Sequence, residues 1–113
     1  MSPITTHVLD TNLGSPAAGL AIELLSVDAA GNANPLASGA TNEDGRIADL
    51  LSEGSLTPGR YRMVFDTGGY FARLKTATFY PTVQVDFEIV ATDQHYHVPL
   101  LLSPFGYSTY RGS

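Results

Sequence analysis

Along "TVQVDFEIV" (Thr82–Val90), Val83, Val85, Phe87 and Ile89 alternate with Gln84, Asp86 and Glu88. Successive side chains of a strand point to opposite faces, so this pattern predicts a strand with one buried and one wet face. "GLAIELLSV" (Gly19–Val27) and "RYRMVFD" (Arg60–Asp66) have strand length, are rich in branched and aromatic residues, and are bounded by Gly, Pro, Asn and Asp. Shorter strands are predicted at Ile4–Leu9, Arg46–Asp49, His95–Leu101 and Gly106–Arg111. One segment departs from this period: in "TGGYFARLK" (Thr67–Lys75), Tyr70, Phe71 and Leu74 fall at helical spacing, which predicts a short helix. The separators "NLGSPAAG", "DAAGNANPL", "TNEDGR", "SEGSLTPG" and "FYPT" hold most of the turn-forming residues. Short strands at close spacing with turns between them point to an all-β antiparallel sandwich or barrel.

Composition narrows the picture. At 113 residues with 43% hydrophobic and 15% charged positions, the chain reads as one domain, residues 1–113, able to bury a single core. No repeat, low-complexity tract or linker divides it. A net charge of −5 with only six Lys and Arg argues against a nucleic acid partner, which needs a clustered cationic surface. There is no cysteine, which removes disulfides, thiolate metal sites and thiol nucleophiles. The start "MSPITTHVLD" lacks the basic and apolar regions of a signal peptide, and no run approaches the ~20 apolar residues of a membrane span. The expectation is a soluble, cytoplasmic protein with no membrane partner.

Candidate chemistry concentrates in the histidines. In "HYHVPLLLSP", His95, His97 and Pro99 share one strand face, opposite Tyr96, Val98 and Leu100, with same-face neighbours ~7 Å apart. In "THVLD", Val8 is the core residue, so His7 falls on the other face with Thr5 and Leu9. Three imidazoles without cysteine are compatible with a three-His zinc site, but no carboxylate or HExxH pattern supports one. Arg46 follows the Asp-Gly turn of "EDG", where a fixed backbone can aim its guanidinium at a carbonyl or anion. The sequence holds no nucleophile elbow, phosphate loop or dinucleotide fingerprint. What remains is imidazole, guanidinium and a hydroxyl-rich end, a set suited to general acid and base chemistry on a polar heterocycle or amide.

"THVLD", "NEDGRI" and "HYHVPLLLSPFGYSTYRGS", with "GRYRMVFDTGGYF" and "FYP" between them, resemble the 5-hydroxyisourate hydrolases, the transthyretin-related proteins of purine catabolism. The terminal Tyr-Arg-Gly-Ser is the most specific feature. The resemblance implies a transthyretin-like β-sandwich of two four-stranded sheets with one short helix. It also implies a homotetramer, a dimer of dimers with its sites in the groove between dimers, with Tyr107 and Thr109 on a sheet face covered by a partner. The implied reaction is hydrolysis of 5-hydroxyisourate to 2-oxo-4-hydroxy-4-carboxy-5-ureidoimidazoline, without a cofactor or metal. Catalytic positions carry over to His7, Arg46, His97 and Ser113, and substrate-binding positions to His95, Tyr110, Arg111 and Gly112.

Two other readings use the same sandwich. One is a transthyretin-like carrier holding an aromatic small molecule in a central channel. The other is an oligomer with no ligand, whose histidines serve no chemistry.

Overall fold

The computed structural model describes residues 2–113; Met1 lies outside the described residues. Eight strands and one helix follow one another as β1 (Ile4–Asp10), β2 (Ser15–Pro16), β3 (Ala21–Val27), β4 (Ala33–Ala40), β5 (Gly59–Phe65), α1 (Thr67–Arg73), β6 (Val83–Ile89), β7 (Tyr96–Ser103) and β8 (Gly106–Thr109). They form two four-stranded sheets, ordered β2-β1-β7-β8 and β4-β3-β5-β6. Every pairing is antiparallel except β1 with β7, which run parallel from Ile4 beside Tyr96 to Asp10 beside Leu102.

The core lies between the sheets, where the inward residues of each strand meet: Ile4 and Val8 from β1, Leu24 from β3, Met63 and Phe65 from β5, and Leu100 and Leu102 from β7, all essentially inaccessible. Burying a side chain of this size stabilises the fold by roughly 1.5–3 kcal/mol. Alternation along β1 is strict, with Thr5, His7 and Leu9 half-buried and their neighbours buried. This is what sends His7 and Thr5 to the outer face. On α1, Asp66 caps the N-terminus by accepting from Gly69 N, and Tyr70 and Phe71 face the core. The Tyr70 hydroxyl donates to Asp10 Oδ2 at 2.7 Å, while Asp10 Oδ1 accepts from the amides of Asn12 and Leu13. The buried carboxylate is thereby satisfied, and burial beside it drives the Tyr70 hydroxyl well above the usual phenol range. The helix thus locks the end of β1.

Three sequence expectations need correction. Arg46–Asp49 is not a strand: Arg46 makes a single bridge with His7, and the chain then turns through Asp49 at φ 57°. Ala33–Ala40, placed within and after a separator, is β4; it is an exposed edge strand whose Pro35 sits where its pairing with β3 shifts register, a position that tolerates a missing amide proton. Tyr107 and Thr109 do not lie on the outer face of their sheet: in register they stand opposite the core residues Leu102 and Leu100. Tyr107, itself exposed, packs edge-on against Tyr80, ring centres 5.2 Å apart, at the rim of the core side.

No helix among the described residues is long and apolar enough to cross a membrane.

Candidate active site

Arg46 is placed by the turn before it. Asn42 Oδ1 accepts from the amides of Asp44 and Arg46, and Gly45 N donates to Asn42 O. Gly45 has φ +75°, and a Cβ there would lie 2.5 Å from Val8 O, so only glycine lets the turn settle on β1. Val8 N in turn donates to Gly45 O at 2.9 Å. The turn is thereby docked, and Arg46 emerges beside His7.

β7 and the residue just before it supply two imidazoles. His95 and His97 lie nearly parallel with ring centres 6.5 Å apart. The parallel register sets Thr5 beside His97, and Thr5 Oγ1 lies 2.9 Å from both His97 Nδ1 and His95 Nε2. His97 is half-buried; His95 is exposed.

The tail after β8 closes the remaining side. Its register continues from Thr109 opposite Leu100 to Gly112 opposite His97, where Gly112 N donates to His97 O at 2.9 Å. The imidazole lies across Gly112: a Cβ there would come within 2.5 Å of His97 Cδ2. Ser113 follows and reaches the cavity.

That cavity has a volume of about 580 Å³ and is lined by Ser2, Thr5, Thr6, Arg46 to Asp49, His95, His97 and Ser113. Burial lowers the His97 pKa from its ordinary value, and the charge of Arg46, then His95 and His7, lowers it further against a hydrogen bond to Thr5. His97 is thus a neutral imidazole at neutral pH, with a guanidinium beside the same cavity. A base able to deprotonate water and a cation able to receive developing oxyanion charge are the two parts that amide hydrolysis needs.

The fold therefore gathers four of the residues expected from sequence, Arg46, His95, His97 and Ser113, around one cavity, with Gly112 beneath the His97 ring. His7 lies on the same sheet face and its backbone bridges Arg46, but its side chain does not line the cavity. Tyr110 and Arg111 line a second cavity, of about 310 Å³, whose wall also includes His97. Arg111 turns toward the core side, its guanidinium carbon 4.7 Å from the centre of the Tyr96 ring and its Nη2 3.0 Å from Gln94 Oε1. Among the described residues no three histidine or carboxylate side chains are arranged to hold a metal ion. Thr5 and Asp49 were not singled out from sequence. Thr5 had one signal, its place two residues before His7 on the same face.

Comparison with known proteins agrees across the chain. Residues 4–112 match the model of the HIUase/Transthyretin family. A 5-hydroxyisourate hydrolase from Mus musculus is 47% identical, over 99% of this chain and 96% of its own. Among solved structures, 5-hydroxyisourate hydrolase of Klebsiella pneumoniae superposes with a TM-score of 0.83 at 40% identity, covering 97% of this chain and 92% of the other. Transthyretin from Sparus aurata superposes with a TM-score of 0.93 at 32% identity, covering 99% and 97%.

Proposed function

The chain belongs to the HIUase/Transthyretin family, and on that premise we propose that it is a cyclic amide hydrolase that opens 5-hydroxyisourate to 2-oxo-4-hydroxy-4-carboxy-5-ureidoimidazoline, with residues 1–113 acting as one hydrolase domain. The observation that carries this reading is the half-buried, neutral His97 facing the same cavity as Arg46. His97 Nε2, the ring nitrogen left free by Thr5, takes a proton from water as the water attacks the ring carbonyl. Arg46 receives the charge that builds on the carbonyl oxygen. Ser113 closes the cavity, and Gly112 provides the gap in which the imidazole lies. His7 acts on His97 through its charge, and His95 supports it through Thr5. Tyr110 and Arg111 are assigned to substrate binding because their cavity adjoins His97.

We infer a homotetramer, built as a dimer of dimers with sites in the groove between dimers. Supporting this are the outer edges of β6 and β8, which pair with no further strand among the described residues. The outer-face residues Thr5 and His7 are also only half-buried within the chain.

The test follows ultraviolet absorbance of freshly generated 5-hydroxyisourate with the full chain, with a variant lacking Tyr110 to Ser113, and with no protein. The expected result is rapid decay with the full chain and near-blank decay with the truncated one, checked to be folded. Blank-level decay with the full chain would overturn the reading in favour of a carrier.

A further inference from the structure

Thr5 offers one hydroxyl to two imidazoles, 2.9 Å from His97 Nδ1 on one side and 2.9 Å from His95 Nε2 on the other. A hydroxyl has a single proton to donate, so Oγ1 cannot donate to both rings, and at least one ring donates to it. If His95 alone donates, His97 accepts at Nδ1 and carries its proton on Nε2, where it cannot act as a base. If His97 donates, its Nε2 lone pair is free. Resting on the hydrolase reading, we infer that Thr5 is a positioning residue that holds His97 in the Nδ1–H tautomer and, with His95, forms a proton relay leading from the buried ring to the exposed one.

The transfers balance. As water attacks, its O–H bond breaks, the proton joins His97 Nε2, and an oxygen electron pair forms the new C–O bond. The Nδ1 proton of His97 moves to Thr5 Oγ1, the hydroxyl proton moves to His95 Nε2, and the positive charge comes to rest on His95. The same transfers run backwards when His97 Nε2 gives its proton to the departing ring nitrogen. Charge is expelled from His97 because the ring is half-buried and within the electrostatic reach of Arg46 from the turn, His95 from just before β7 and His7 from β1, with Asp49 on the wall of the same cavity. His95 is exposed, so water can solvate the cation there.

The test uses the full chain labelled with nitrogen-15 histidine, whose two-bond proton–nitrogen correlations report each tautomer without substrate. The wild type, at a pH where His97 is neutral, is expected to show Nδ1–H at both His97 and His95, the form free imidazole disfavours. Thr5→Val is expected to release His97 toward the Nε2–H form and to lower kcat roughly 10- to 100-fold with KM little changed, and Thr5→Ser to restore both. A wild-type spectrum with His97 as Nε2–H overturns the inference and requires no variant to fold. So does a folded Thr5→Val variant with wild-type kcat and tautomers. Blank-level decay of 5-hydroxyisourate with the wild type is a separate failure, that of the hydrolase reading, and leaves the tautomer to the spectra.

Discussion

The two sheets carry polar residues on their outer faces to opposite ends. On the β4-β3-β5-β6 sheet, Arg60 stands opposite Glu88 and Arg62 opposite Asp86. The Arg62 guanidinium grips Asp86 with two hydrogen bonds of 2.7 and 3.0 Å. Those bonds hold the Asp86 carboxyl below its ordinary pKa and the guanidinium above its own, so each charge is settled by its neighbour across the strand. Among the described residues, the outer face of the β2-β1-β7-β8 sheet has no such pairing: Thr5, His7, His95 and His97 gather beside Arg46, and burial with neighbouring positive charge pushes His97 toward its neutral form. A face whose charges cancel is a solvated surface. A face whose charges acting on an imidazole are positive keeps that ring ready to take a proton.

This contrast can be broken most sharply at its two centres. His97→Ala is expected to lower kcat by roughly 10²- to 10⁴-fold, the usual worth of a positioned base, as read from 5-hydroxyisourate decay. Gly112→Ala comes next. The added methyl must displace the His97 ring, and misplacement on the scale of 1 Å can cost about 100-fold, so kcat should drop by about that much while the melting curve shows the fold intact.

The pH dependence sharpens the comparison further. The neutral ring is the base and its pKa is lowered from 6.5, so the acid limb of kcat/KM should be centred below 6.5, as His97 gains its proton. Stability has the same sign: below 6.5 the unfolded chain binds this proton more readily than the folded one, so stability falls as pH drops through that value toward the folded pKa. An acid limb centred above 6.5 would contradict the placement of His97. On the other sheet, Arg62→Ala should leave kcat unchanged and barely move the melting temperature, since exposed ion pairs contribute little. The smallest effect belongs to metal removal: exhaustive chelation should leave the rate at its starting value, and loss restored by zinc would revive the three-histidine zinc reading.

Much of the sandwich was legible because its long strands bury one face. The alternation through Val83, Val85, Phe87 and Ile89, the pairing of His95 with His97 on one face, and the position of His7 opposite Val8 all follow from that period. β4 was hidden for the complementary reason, since a strand lying along an exposed edge has no buried row to write into "ANPLASGA". Ser15–Pro16 is two exposed residues and carries no period at all. Arg46 was correctly set at the exit of the Asp-Gly turn, but one bridge to His7 is all the pairing it makes. Thr5 escaped notice as a functional residue because its value lies in what stands beside it. The parallel pairing of β1 with β7 joins segments far apart in the chain, and no local pattern announces such a partner. The same holds for Arg111, whose contact with the Tyr96 ring is set by the register of the tail.

That parallel pairing also governs when the site can come into being. Thr5 and His97 are separated by 92 positions, and Gly112 and Ser113 lie further on still. Closing so long a loop costs conformational entropy before any contact repays it, and folds dominated by such pairings form slowly. A nascent chain therefore carries β1, with Thr5 and His7, through 92 further positions before His97 exists to pair with Thr5. The cavity is complete only once β7, β8 and the tail have joined β1.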